Sequence, residues 1–306
     1  MPSKFIELTI KEKCSADLPV REYHKAPRSQ IRALFDNGCV RINGEICKNP
    51  GTKVLPSDVL TLTLEEGKRY KEKKKLPPTK DFSIVYEDGY LIVVDKAPGV
   101  LTVPTESGAG LGISLLDQLA ESISSARSLE VIHRLDKETS GLLVFAKSQG
   151  ITRKLKEQFE KRKPERIYFA IVKGVLAKKE GTFESYLSTD KDLNQYSVEE
   201  KDKDKGKYAC THYWVEKVGK GATLVRVQLD TGRRNQIRVH FSEAGHPVIG
   251  DQRYKVTIAK HPNWKHKSLA LHASTLSFTH PATNKVLSFT SPMPERMKKF
   301  LKDLEA

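Results

Sequence analysis

No part of this 306-residue chain approaches the roughly 18 consecutive apolar residues that cross a bilayer as a helix. Residues 1–13 lack the long apolar core of a secretory signal. These two absences set aside integral membrane and secreted proteins, so the expected compartment is the cytoplasm. Cysteine is scarce as well. Cys14, Cys39, Cys47 and Cys210 form no Cys-x-x-Cys pair, which argues against a zinc knuckle, and buried free thiols are expected. His261, His266 and His272 have no metal-ligand spacing, and no glycine loop is built to cradle phosphate.

Acidic residues are the other shortage. Asp and Glu number 38 against 53 Lys and Arg, a formal net charge of +15. An excess of that size speaks about partners, not fold. With no apolar span to support a membrane role, RNA or DNA is the expected partner and no membrane is.

Residues 14–64 read as a small unit. A helix over 28–36 puts Ile31, Leu34 and Phe35 on one side, and Asn37-Gly38 ends it. Val40 and Ile42 alternate with polar residues up to Asn43-Gly44, a strong hairpin signal. Cys39 and Cys47 flank that hairpin. Return strands begin at Ile46 and over 59–64. The helix carries Arg28 and Arg32 and follows Lys25, a basic face suited to phosphates or simply to water. A Lys-rich run at 68–75 and Leu76-Pro77-Pro78 then read as an extended tether.

Beyond residue 81, strands are expected at 83–86, 91–95, 131–133, 142–147, 167–173 and 224–229. Helices are expected at 114–127, 152–160, 235–244 and 294–304, and residues 190–207 as a mobile hairpin or loop. The elements do not alternate regularly. The fold class is therefore α+β: a mixed, largely antiparallel sheet with flanking helices and a central cleft, behind a small N-terminal α+β unit.

The most informative stretch is residues 131–148. Two apolar runs enclose His133, Arg134, Asp136, Lys137, Glu138, Thr139, Ser140 and Gly141. Charged groups carried on a loop between core strands are well placed for chemistry, and Asp136 leads them. It could equally bond its own turn amides. A second polar cluster, residues 231–240, follows a strand and opens a helix. Arg234 and Arg238, four apart, would share one face of that helix, with Ile237 and Phe241 on the adjacent buried face. Tyr168 lies within an apolar strand, where core packing is the ordinary role.

Residues 14–64 resemble the S-four-like RNA-binding module. The match rests on Arg28-Ser29-x-Ile31, Leu34, Asn37-Gly38-x-Val40-x-Ile42-Asn43-Gly44, Val54 and Asp58. From residue 81 on, His133-Arg134-Leu135-Asp136-x-x-Thr139-Ser140-Gly141-Leu142 resembles the signature of the RluA family of pseudouridine synthases. In order with it stand Asp95-Lys96-x-Pro98-Gly99, Arg166-Ile167-Tyr168-x-Ala170, Thr231-Gly232-Arg233-x-x-Gln236-Ile237-Arg238-x-His240 and Ile249-Gly250-Asp251-x-x-Tyr254. Ala97 and Asn235 depart from the family's usual proline and histidine at those places.

The resemblance implies residues 1–66 as the RNA-binding module, 67–80 as linker and 81–306 as catalytic domain. It implies an isomerase acting on uridine within RNA, with no metal or other cofactor. Large-subunit ribosomal RNA is the favoured partner, transfer RNA is the second, and a monomer is expected. Asp136 takes the essential catalytic role, Arg238 pairs with it, and Tyr168 stacks on the base. Arg134 fills the gap left by the flipped nucleotide and Ile237 gives an apolar wall. Arg233 and Lys96 are candidates for phosphate or loop-positioning contacts and, with His133, for binding substrate, while Lys25, Arg28 and Arg32 bind RNA from the N-terminal unit. A non-catalytic RNA-binding or ribosome-assembly factor would share the charge but has no use for a carboxylate facing RNA. A nuclease or glycosidase would ask for a second carboxylate.

Overall fold

The computed structural model describes residues 3–25, 28–65, 81–104, 113–122 and 129–304, without the side chains of residues 3, 4, 28 and 29. Contacts divide the chain into two units, Met1–Pro78 and Thr79–Ala306. The expected basic tether lies outside the described residues, as does the end of the helix expected at 114–127.

In the first unit the elements are β1 (Ser3–Leu8), β2 (Cys14–Ser15), α1 (Asp17–His24), α2 (Arg28–Asp36), β3 (Val40–Ile42), β4 (Glu45–Ile46), β5 (Lys53–Val54) and β6 (Leu60–Glu65). The helix over 28–36 forms as expected because Ile31, Leu34 and Phe35 are buried together. Gly38, at φ +72°, carries the chain out of it. Asn43 and Gly44, at φ +52° and +85°, turn β3 into β4. Strand β1, which the sequence did not signal, pairs antiparallel along β6. Helix α1 was also unforeseen, since it buries only Pro19 and Val20 and so has no apolar stripe to read. None of the four cysteines is in a disulfide.

The second unit holds β7 (Phe82–Glu87), β8 (Leu91–Lys96), α3 (Leu115–Ser122), β9 (Glu130–Val131), β10 (Ser140–Ala146), α4 (Gln149–Glu160), β11 (Glu165–Lys173), β12 (Glu180–Thr189), β13 (Gln195–Val198), β14 (Lys207–Gly219), β15 (Ala222–Leu229), α5 (Gln236–Glu243), β16 (Leu271–Thr279), β17 (Val286–Thr290) and α6 (Glu295–Asp303). One mixed sheet runs β13-β12-β14-β15-β11-β16-β10-β8-β7, with β17 beside β16 and β9 beside β10. Every pairing is antiparallel except β10 with β16. Strand β10 is buried along its whole length, which explains its unbroken apolar run.

The polar stretch 190–207 proves to be a hairpin. Asp190 caps the turn by accepting from the Asn194 amide at 2.7 Å, β13 pairs with β12, and a 3-10 turn leads into β14. Among the described residues no helix is long and apolar enough to cross a membrane.

Candidate active site

Two loops from opposite parts of the large sheet face one another. The first joins β9 to β10 and carries Asp136. The segment after β8 fixes it from behind. Thr102 Oγ1 donates to the Leu135 carbonyl at 2.9 Å and accepts the Leu135 amide at 3.2 Å. The Gly99 amide donates to the Lys137 carbonyl at 2.8 Å.

Lys96 completes this fixation. Its ammonium donates to the carbonyls of Ala97, Val100 and Lys137 at 2.9, 2.9 and 3.0 Å, and the residue is fully buried. Burial pulls its pKa down to about 7, against the pull of Glu138, Asp136 and Asp81. Of the two roles expected for Lys96, phosphate contact and loop positioning, the geometry favours the second: its ammonium is directed inside the protein at the loop, which corrects its assignment to substrate.

The second loop, residues 230–235, runs from β15 into α5. Gln236 secures it from the sheet side. Its Oε1 accepts from Thr231 Oγ1 at 2.7 Å and the Arg233 amide at 2.9 Å, while Nε2 donates to the Cys210 carbonyl and Thr211 Oγ1. Arg166, also buried, donates to the Leu229 and Asp230 carbonyls. A Cβ at Gly232 would come 2.5 Å from Arg166 Nη1, so a side chain there would make the guanidinium shift.

Asn235 adopts φ +55° just before α5. Arg234 thus falls in the turn and is exposed, so it does not share a helix face with Arg238 as the spacing had suggested.

Arg238, in the first turn of α5, joins the two loops. Its Nε and Nη2 donate to Asp251 Oδ2 and Oδ1 at 2.7 and 2.9 Å, a two-pronged pairing. Its Nη1 donates to Asp136 Oδ2 at 2.9 Å and to Asn235 Oδ1 at 3.3 Å. Asp251 is sealed from solvent and also accepts the amides of Arg253 and Tyr254. The Tyr254 ring lies 5.2 Å from the guanidinium carbon. Burial opposes the charge on Arg238, but the bonds to Asp251 and the charge of Asp136 outweigh it and raise the pKa above its already high ordinary value.

The Asp136 side chain keeps 25% of its exposure. It bonds Arg238 and, among the described residues, none of the amides of its own turn, so the simple turn-former reading does not describe it.

Tyr168 lines the same cleft from β11, where a register shift between Ile167 and Tyr168 interrupts the pairing with β16. Irregularities of this kind re-aim a side chain beside a site. Burial raises the pKa of its phenol, with Arg166 opposing and Asp136 adding, so the hydroxyl keeps its proton at neutral pH. Ile237 and Leu229 are apolar parts of the wall, and Arg134 and Arg233 are exposed residues lining the opening.

His133 is not in the wall. Its Nε2 accepts the Val144 amide at 3.3 Å and its ring stacks on Phe159 at 4.8 Å. Burial, with Arg166 adding, lowers its pKa to about 3, so it is a neutral packing residue. That corrects its assignment to substrate.

In the N-terminal unit Lys25 is exposed at the end of α1, Arg32 is ion-paired with Asp36 at 3.2 Å, and the Arg28 side chain lies outside the described residues. Asp251 was the main omission of the sequence reading. It stood inside a quoted motif, but its bond to Arg238 depends on a loop folding back beneath α5.

A family model described as RNA pseudouridylate synthase matches residues 90–243, and an S4 domain model matches residues 20–60. An uncharacterized RNA pseudouridine synthase of Aquifex aeolicus is 33% identical over 298 residues, covering 93% of this chain and 92% of that one. One from Bacillus subtilis is 32% identical over 283 residues, covering 90% and 89%. The Escherichia coli ribosomal large subunit pseudouridine synthase C is 32% identical over 295 residues, covering 91% and 88%. Among solved structures, human RNA pseudouridylate synthase domain containing 4 superposes with a TM-score of 0.59 at 24% identity, over 73% of this chain and 93% of that one. At that identity the likeness speaks for the fold alone.

Proposed function

The chain belongs to the RNA pseudouridylate synthase family, and from that premise we propose that it isomerises specific uridines of large-subunit ribosomal RNA, with Asp136 as the essential group. The bond from the ribose to the ring nitrogen breaks, the uracil turns, and a carbon–carbon bond forms to the same sugar. Substrate and product are isomers, so the reaction consumes no second reactant.

Asp136 acts on the sugar or base as nucleophile or proton acceptor. Arg238, locked by Asp251, holds the Asp136 carboxylate in place. Tyr168 stacks on the uracil as a neutral phenol, with Ile237 as apolar wall. Flipping the nucleotide out of the RNA costs a few kcal/mol. Arg134, exposed at the opening, inserts where the base was, and Arg233 meets phosphate. Residues 1–66 serve as a second RNA-binding module, tethered by 67–80 to the catalytic domain of 81–306, and the enzyme works in the cytoplasm.

The observation that carries this reading is a partly exposed carboxylate in a cleft, held by a guanidinium whose other edge is fixed by a buried carboxylate. Asp136→Asn is expected to abolish product, read by carbodiimide labelling of RNA, while RNA affinity stays within a few-fold. Turnover near that of the unaltered enzyme would refute the role of Asp136. Cells lacking the protein should lose pseudouridines from large-subunit ribosomal RNA; a loss confined to transfer RNA would overturn that assignment.

A further inference from the structure

Strand pairing assembles a second cluster of chemistry-bearing side chains on the other face of β14. Thr211 points toward α5, where its hydroxyl meets His240 and Gln236. Its neighbours Cys210 and His212 therefore share the opposite face. Thr211 pairs with Leu229, so Asp230 comes to lie beside Cys210.

His212 Nε2 is 3.0 Å from Asp230 Oδ2 and 3.5 Å from Cys210 Sγ. The ligand atoms of all three residues lie within 4.8 Å of one another. On the other edge of the ring, Nδ1 is 2.9 Å from the hydroxyl of Thr182, the residue that pairs with His212 on β12.

His212 Nε2 can donate to Asp230 while Nδ1 accepts from Thr182, so hydrogen bonding can satisfy the ring. The same three atoms of Cys210, His212 and Asp230 converge closely enough to donate electron pairs to one cation. With metal–nitrogen distances of about 2.0 Å and metal–sulfur of about 2.3 Å, tetrahedral ligand atoms stand about 3.3–3.5 Å apart. The nitrogen–sulfur spacing of 3.5 Å matches this, the nitrogen–oxygen spacing of 3.0 Å is slightly shorter, and no pair exceeds 4.8 Å.

We propose that Cys210, His212 and Asp230 form a site for a thiophilic divalent transition ion of the zinc type. The fourth position is left for water or for Glu184, which pairs with Cys210 across β12. Thiolate and imidazole select such an ion over magnesium or calcium. Thr182 fixes the ring so that Nε2 points at the ion, the usual outer support of a metal-bound histidine. The side chains of His212 and Asp230 keep 30% and 42% exposure, which gives an ion a way in. On binding, the thiol proton leaves to solvent and sulfur takes the metal in its place, so affinity rises with pH.

Asp230 opens the loop that leads to Thr231 and Arg233, and Arg233 Nε bonds the Tyr208 carbonyl, two residues before Cys210 on β14. A bound ion would thus clamp β14 to β15 at the root of the loop lining the cleft. The site is independent of the uridine chemistry.

The test uses the full-length protein, stripped with a chelator and titrated with Co²⁺, then displaced with Zn²⁺. One equivalent should bind, with a thiolate-to-cobalt charge-transfer band that Zn²⁺ abolishes and Cys210→Ser removes. His212→Gln and Asp230→Asn should each weaken binding at least about tenfold, and Thr182→Val by about ten- to a hundredfold. Absence of the band, its survival in Cys210→Ser, or unchanged affinity in His212→Gln would overturn the proposal. Should Cys210→Ser fail to fold by circular dichroism, Asp230→Asn decides: a tenfold loss supports the site and unchanged affinity ends it.

Discussion

Asp251 never meets solvent, yet the geometry of the cleft rests on it. It takes two bonds from Arg238 and leaves only Nη1 to reach Asp136. Breaking a buried ion pair by removing one charge costs about 3 kcal/mol or more, because the partner charge stays behind. Asp251→Asn should lower stability by about that amount in urea unfolding. It should also slow single-turnover conversion while leaving RNA affinity within a few-fold. An unchanged single-turnover rate would separate Arg238 from the working geometry. Asp136 and Arg238 stand in dense polar clusters visible in the chain, whereas Tyr168 lies in an apolar strand and is picked out only by the family resemblance. Lys96 and His133 stand in motifs of that resemblance too, but burial is decided by distant segments: the Lys137 loop captures one and Phe159 covers the other.

At the scale of elements, the junction of β10 and β16 governs the sheet. Gly141 has φ +115°, and a Cβ there would come 2.2 Å from the Ala273 carbonyl oxygen. Both backbone strain and collision forbid a side chain. Gly141→Ala should destabilise the C-terminal unit by about 3 kcal/mol or more, measured by urea unfolding. A cost under about 1 kcal/mol would mean that the junction yields easily. Strands β8, β10 and β11 could be read from sequence because they are apolar on both faces, and β15 because Val225, Val227 and Leu229 make one face apolar and buried. Strands β12 and β17 could not, since each exposes alternate residues and its short polar-apolar pattern resembles a loop. The start of α5 was misjudged by a residue because Asn235 takes a left-handed conformation that no periodicity signals.

For the whole molecule, buried histidines set the response to acid. His240 is pushed down to about 4 by burial and His133 to about 3, and burial also lowers His272. The unfolded chain takes up these protons near pH 6.5, whereas the folded protein resists them until far lower pH. Stability is therefore full above about pH 6.5 and falls as pH drops toward 4 and then 3. The urea midpoint should decline across that range, and His240→Gln should flatten the decline; an equal slope in the variant would exclude His240 as a contributor. The net charge of +15 acts at the same scale. Deleting residues 1–66 should weaken binding to large structured RNA and make its salt dependence shallower. Equal affinity at every salt concentration would make the first unit a bystander.

Strand β16 lies between β10 and β11 and is the only link between the two halves of the large sheet among the described strands. Asp136 hangs from one half and Arg238 from the other. A chain that has not yet reached residue 271 lacks the one described strand that pairs with both halves. Both members of the pair are thus translated well before they can touch. A product that stops before β16 should therefore lack uridine isomerisation, even where its first unit has folded and still meets RNA.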